Sequence, residues 1–274
     1  MSNSGTYSID DLLYLMSRLR DPLDGCPWDW NQDYRSLVPY TIEEVYEVVD
    51  TIERSDFIHL SEELGDLLFQ VVFYARIAEQ DGLFDFSTVV DGIVRKLLAR
   101  HPHVFPDGTL ESRRREGEPA HESQVMTQWE SIKQGERRSK GYNHLLADIP
   151  AALPALVRAQ KVQKRAAKAG FDWADMSAVF AKTREEIQEL EEALAGADED
   201  RVADEMGDLL FCCVNLARHG GFDAETLLRR ATLKFETRFS TMEKIAREAG
   251  KSFDSLDSTT QNDLWLKAKS RERD

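Results

Sequence analysis

Apolar residues recur at helical rather than strand spacing along nearly all of this chain. From Leu60 they fall at Leu64, Leu67, Leu68, Val71, Val72, Ala75 and Ala78, the period of a helix with one buried face. From Val202 the stripe returns at Met206, Leu209, Leu210, Cys213, Val214 and Ala217. Segments 41–53 and 177–195 predict a helix ahead of each stripe. Ser87 and Asp223 stand where N-caps are expected for the next long helix of each half, with Glu225 in the first turn of the second. No run alternates apolar and polar residues as a half-buried strand does. The pattern predicts an all-α protein.

The two stripes belong to an internal repeat. Residues 41–75 align without a gap on residues 183–217, every position offset by 142. Both copies read Glu-Glu-x-x-Glu, then Glu-x-Gly-Asp-Leu-Leu-Phe with one variable residue. Looser matches flank them: Gly25-Cys26-Pro27-Trp28 with Gly170-Phe171-Asp172-Trp173, Lys96 and Arg100 with Lys234 and Arg238, and Trp129 and Lys133 with Trp265 and Lys269. A repeat of this length says duplication into two helical-bundle units. The boundaries read as a first domain over 1–139, a linker over 140–150 and a second domain over 151–274. Residues 106–123 are polar, carry Gly and Pro and break every period, so they read as a mobile loop in the first half.

Composition narrows the function. The chain has 274 residues, 42% of them hydrophobic and 31% charged, with a net charge of −15. That balance excludes a phosphate-tracking nucleic-acid groove. No apolar run reaches membrane-spanning length, and MSNSGTYSIDDLL has no basic segment leading into an apolar one. Three cysteines, Cys26, Cys212 and Cys213, are too few for a disulfide framework and fit a reducing cytoplasm. No Walker loop, dinucleotide fingerprint or Ser-His-Asp order is present. His101-Pro102-His103 reads as a helix terminus, Cys212-Cys213 as core, and Trp28 and Trp173 as core or pocket wall.

The acids carry the chemistry. Glu186 and Glu189 are three apart on one helix face, and Glu205 and Asp208 are three apart on the next. Antiparallel packing of two helices joined by a short connection turns these pairs toward each other. Four carboxylates on one interface repel unless a cation joins them, and oxygen donors without His or Cys favour Mg²⁺ or Mn²⁺. A lone Glu-x-x-Glu in so acidic a chain means little. Here the set recurs at Glu44, Glu47, Glu63 and Asp66 with the same spacing, against the apolar stripe. Gly65 and Gly207 lower helix propensity beside it, as expected where something approaches the backbone closely. Lys234 and Arg238, one turn apart, suit phosphate oxygens, and Trp265 with Lys269 adds a ring and an ammonium near the C-terminus. Lys182 has Tyr40 at its counterpart and Arg201 has His59, so the copies are not chemically equal.

These motifs, with Gly25-Cys26-Pro27-Trp28-Asp29, Arg100-His101-Pro102-His103-Val104-Phe105 and Arg158-Ala159-Gln160-Lys161-Val162-Gln163-Lys164-Arg165, resemble the MazG family of the all-α NTP pyrophosphatase superfamily over nearly the whole chain. The resemblance implies a four-helix metal unit, dimerisation, a broad range of nucleoside triphosphates, a house-cleaning role in the nucleotide pool, and most turnover in the C-terminal copy. Carried over by position, Glu186, Glu189, Glu205 and Asp208 are the Mg²⁺ ligands, and Lys182, Lys234, Arg238 and Trp265 contact nucleotide, with Arg201, Asp204 and Lys269 beside them. The expected reaction is hydrolysis at the α-phosphorus to NMP and pyrophosphate, with Glu185 or Asp204 accepting the water's proton. Three other readings stay open: a narrow dUTPase- or phosphoribosyl-ATP-type enzyme, a nucleotide sensor without turnover, and a purely structural bundle.

Overall fold

The computed structural model describes residues 5–114 and 144–271, together with Val125, Trp129, Ile132, Gly135, Glu136 and Gly141. The described residues contain helices and turns and no strand. The chain divides into two compact units, Met1–Lys133 and Gln134–Asp274. No helix among the described residues is long and apolar enough to cross a membrane.

In the first unit, α1 (Ile9–Leu19) is followed by the short α2 (Pro27–Trp30), then α3 (Val38–Glu53), α4 (Leu60–Gln80) and α5 (Phe86–Arg100). A capping box starts α1: Ser8 Oγ accepts from the Asp11 N–H, and the Ser8 N–H donates back to the Asp11 carboxylate at 2.8 Å. α3 and α4 form an antiparallel hairpin, and α1 also packs on α4. The core gathers Met16, Leu37, Val72, Phe73 and Ile77, with Leu12, Phe69 and Tyr74 against them. Arg20, 5% exposed, ties the end of α1 to α2 and α4. Its guanidinium donates to the carbonyls of Asp29 and Gln32 and to Gln80 Oε1, and it lies 5.3 Å from the centre of the Phe73 ring. Gly25 is required here, because a Cβ would stand 2.5 Å from the Asp21 carbonyl oxygen.

The second unit repeats this plan with α6 (Ala155–Lys168), α7 (Met176–Gly196), α8 (Glu199–His219) and α9 (Ala224–Glu248). It then adds a 3₁₀ turn, Phe253–Ser255, and α10 (Ser258–Arg271). α7 and α8 form the hairpin, and α6 packs on α8. Gln160 and Gln163, both buried, join α6 to its neighbours: Gln160 donates to the Phe222 carbonyl and accepts from the Ala224 N–H, and Gln163 donates to the Phe211 carbonyl, each at 2.8 Å. α10 lies along α9 around Met242, Ala246, Leu264 and Ala268. Asp175, Asp198 and Asp223 cap α7, α8 and α9 by accepting backbone N–H bonds. Such caps are worth about 0.5–2 kcal/mol each.

Both hairpin turns pass through the left-handed region at a residue other than glycine, Ser55 (φ 58°) and Ala197 (φ 53°). These two positions are also offset by 142. The duplication therefore extends to a backbone conformation that costs either residue free energy.

Several expectations need correction. The N-cap of α5 is Asp85, whose carboxylate accepts from the Thr88 N–H at 2.7 Å, and not Ser87, which lies inside the first turn. Cys212 is buried as expected, but Cys213, next along the helix, is exposed. Trp28 and Trp173 are half-exposed, which removes core and leaves pocket wall of the two readings. Of the loop over 106–123, residues 106–114 form turns, with the Asp107 N–H donating to Ser112 Oγ at 2.9 Å. Residues 115–123 lie outside the described residues, as do Lys133 and Lys140. His101 does end a helix, as the C-cap of α5.

One contact had no expectation attached. Asp172, just before α7, receives both arms of the Arg218 guanidinium near the end of α8, and His219 Nε2 lies 3.1 Å away. Arg218 is nearly buried, and it holds the Asp172 carboxyl well below the ordinary carboxylate range. The stability this carboxylate supplies is complete above its unfolded value of about 3.9 and is lost as pH falls through the lower folded value. Asp172→Asn is expected to lower the unfolding free energy at pH 7 by about 1.5–3 kcal/mol, the range for hydrogen bonds to charged groups. Urea unfolding across pH checks this, since the gap between wild type and variant should close below about pH 4.

Candidate active site

The α7–α8 hairpin places Glu186, Glu205 and Asp208 with one carboxylate oxygen each within 4.8 Å of the others. Glu186 is buried, Glu205 half-buried and Asp208 exposed, so the group runs from the packed interface out to solvent. The α3–α4 hairpin repeats the arrangement with Glu44, Glu63 and Asp66, again within 4.8 Å. Glu47 and Glu189, expected as fourth members, fall outside these groups. Glu189 is half-buried, and its carboxyl is pushed up by burial and then by the nearby Glu205.

The two clusters differ in how their charge is met. In the second unit Lys182 reaches Glu185 and Glu186 at 2.7 Å, and Arg201 lies 3.5 Å from Glu205. The two carboxylates hold the Lys182 ammonium well above its ordinary value. In the first unit Tyr40 stands at the lysine position, edge-on to Trp28 at 5.7 Å. His59, at the arginine position, is turned to Asp56 at 2.8 Å. Burial and then like charge push the carboxyls of Glu44 and Glu63 upward, Asp66 and Glu47 being the charges.

The remaining expected residues divide. Glu185 is exposed and bonded to Lys182, and Asp204 is exposed on α8. Lys234 and Lys269 are exposed, on α9 and α10. Arg238 lies 5.3 Å from the Trp265 ring, which also meets Phe235 at 5.5 Å. This basic-aromatic group belongs to α9 and α10, a different pair of helices from the one carrying the carboxylates. In the first unit Trp129 takes His101 as its ring partner at 5.3 Å. A Cβ added at Gly65 or Gly207 would meet nothing within 4 Å, so no other part of the described chain crowds either position. The Asp172–Arg218 contact, which holds the start of α7 against the end of α8, escaped the reading of motifs. Its one trace in the sequence is that Arg218 has Arg76 as its counterpart.

Oxygen-only clusters on the inner face of a helical hairpin suit a hard divalent cation. A model of the MazG nucleotide pyrophosphohydrolase domain matches residues 32–105 and 175–242, covering both hairpins. The chain is 48% identical over 268 residues to the nucleoside triphosphate pyrophosphohydrolase of Escherichia coli K12, covering 97% of this chain and 98% of that one. It is 39% identical over 260 residues to the nucleoside triphosphate pyrophosphohydrolase/pyrophosphatase MazG of Thermotoga maritima, covering 95% of each. A nucleoside triphosphate pyrophosphohydrolase from Mycobacterium tuberculosis is 38% identical over 162 residues, or 58% of this chain. This chain belongs to the MazG nucleotide pyrophosphohydrolase family, with one family domain in each of its two units.

Proposed function

We propose that this protein hydrolyses nucleoside and deoxynucleoside triphosphates of broad base range at the α-phosphorus, giving NMP and pyrophosphate, and that the second unit carries most of the turnover. The observation that carries this reading is the three-carboxylate group Glu186, Glu205 and Asp208 with Lys182 and Arg201 directly upon it. Those three residues would hold Mg²⁺, or Mn²⁺ in its place, with Glu189 beside them; in the first unit Glu44, Glu63 and Asp66, with Glu47, would do the same. The ion supplies Lewis-acid polarisation of phosphoryl oxygens.

The rest falls to the chain's own groups. Lys182, 2.7 Å from Glu185 and Glu186, holds its ammonium at the cluster where it would meet phosphate oxygens. Lys234, Arg238 and Lys269 offset the charge of the departing pyrophosphate, and the Trp265 ring offers a stacking face for a base. Glu185 or Asp204, both exposed beside the cluster, accepts the attacking water's proton. The first unit lacks the lysine and the arginine, which supports assigning it the smaller share of turnover.

The partner surface is read from a second repeated feature. Val38, Val45 and Ile52 on α3, and Phe180, Ile187 and Leu194 on α7, form stripes at seven-residue spacing, each member 42–59% exposed. Such seams suit a partner helix, and a homodimer is the reading that covers them. Light scattering should return about twice the chain mass of 31.3 kDa; a mass of one chain would remove the homodimer.

Asp208→Asn, at an exposed position, is expected to cut pyrophosphate release by more than the roughly 10–100-fold typical of changes outside the ligand shell, with helicity unchanged. Release should also stop in EDTA. Full activity in the variant, measured over a panel of eight triphosphates, would move the chemistry away from the second unit. Binding of triphosphate without release would make the protein a sensor instead.

The pH dependence has a definite sign. Glu44, Glu63 and Glu189 have carboxyls pushed upward by folding. Their stability is intact below the ordinary value of about 4.3 and is lost as pH rises through the raised folded values. A bound cation restores what is lost. The rise in Tm on adding Mg²⁺ should therefore be largest at neutral pH and shrink toward about pH 5, where protons take the same oxygens. Thermal melts across pH test this, and a rise that ignores pH would place the ion elsewhere.

A further inference from the structure

The inner faces of the two hairpins match closely, and Gln70, with Cys212 at its counterpart, is one of the buried positions at which their polarity differs. Gln70 lies one helical turn beyond Asp66 and two beyond Glu63 on α4, so the three share a face. The antiparallel α3 fixes what that face looks at. Thr41 Oγ1 meets the Tyr74 hydroxyl at 2.9 Å, and Glu44 meets Glu63 and Asp66 within 4.8 Å. Gln70 sits on the turn between those two contacts and so faces the turn of α3 that carries Glu44.

Gln70 is 6% exposed, and its Oε1 is closed to solvent and accepts no hydrogen bond among the described residues. An amide oxygen and ionised carboxylates are all acceptors. Glu44 and Glu63 are half-buried and Asp66 is exposed, but the Gln70 oxygen is closed off among acceptors and left without a donor, which is costly in a buried place. A bare divalent cation, smaller than a water molecule, reverses the sign of that arrangement.

The second unit shows that this helix position does face the cluster. There the residue is Cys212, also buried, and the charged groups around its thiol include Glu186, Lys182 and Asp208. The cluster has Lys182 as counter-charge in that unit, and a soft sulfur donor where the first unit has an oxygen.

We propose that the side-chain oxygen of Gln70 is a further ligand of the first-unit site, joining Glu44, Glu63 and Asp66, with Glu47 beside them, around a hard divalent cation. The inference rests on the cation reading of that cluster. An amide carbonyl is an ordinary ligand for cations of the Mg²⁺, Mn²⁺ and Ca²⁺ class. This added oxygen, and tyrosine in place of the competing lysine, set the first-unit site apart from the second, where Cys212 and Lys182 stand.

Mn²⁺ is the probe, with free ion followed by electron paramagnetic resonance on the full-length chain. Asp208→Asn in the background silences the second unit. Gln70→Met, close in shape but without the oxygen, should then weaken Mn²⁺ binding about tenfold, and Gln70→Glu should restore it. Gln70→Met should also raise the Tm of the cation-free protein while shrinking the rise that Mn²⁺ produces, a pair of changes that a packing role alone does not give. Unchanged Mn²⁺ affinity in Gln70→Met overturns the proposal. Asp66→Asn in the same background separates the two ideas. Loss of binding there, with none in Gln70→Met, removes Gln70 only. Binding that survives both variants removes the cation site of the first unit altogether.

Discussion

Three carboxylates held within 4.8 Å of one another are the constraint around which each unit is built. Left free, such groups move apart, since like charges on neighbouring helix turns destabilise by tenths of a kcal/mol and by more once partly buried. Helix packing keeps them together here. The inner stripe of α4 buries Val72, Phe73 and Ile77 just beyond the acids, and α8 buries Val214 beyond its own. The acids are therefore carried on helices whose apolar contacts outweigh the repulsion. In the second unit Lys182 and Arg201 take up part of the charge; in the first, Tyr40 carries none and His59 is turned to Asp56.

The contacts that hold the hairpins in place are charged groups spent on backbone or on one another, away from the clusters. Arg20 binds two carbonyls and lies near an aromatic face, which ties the end of α1 to the end of α2. Asp172 and Arg218 tie the start of α7 to the end of α8. Arg218 is far less exposed than the arginines of pairs such as Arg18–Asp24 or Arg95–Asp91, in which both partners face water. Exposed pairs of that kind add about 0–1 kcal/mol, so they do not decide the fold. Asp172–Arg218 does more, because removing either member would leave the other partly desolvated and unmatched.

Much of this was legible in the sequence because the repeat reports each feature twice. The stripes from Leu60 and Val202 became α4 and α8, and the spacing of Glu186, Glu205 and Asp208 was enough to bring them together. What failed depended on which way one residue faces at a given turn. Ser87 and Asp85 are both good caps, and only the backbone tells which one precedes the first turn. Cys212 and Cys213 are neighbours on a helix, so one must turn roughly 100° from the other, and pattern alone assigned both to the core. Glu47 and Glu189 share the motif and the face and flank the tight groups, Glu47 in hydrogen bond with Glu44 and Glu189 in the field of Glu205. Asp172–Arg218 was out of reach, since its members lie 46 residues apart and belong to no shared motif.

The left-handed turn at Ser55 and Ala197 has a bearing on how the family can vary. Each turn sits between the two helices that supply one cluster, and the count of residues from Glu44 to Glu63 equals that from Glu186 to Glu205. Within either helix a residue added between the acids and the buried apolar positions would turn the one set about 100° from the other, so the motif and the apolar stripe behind it must keep one frame. The two copies in this chain have kept that frame, the length of the turn and its left-handed step, while their chemistry at Tyr40 and Lys182 has drifted apart.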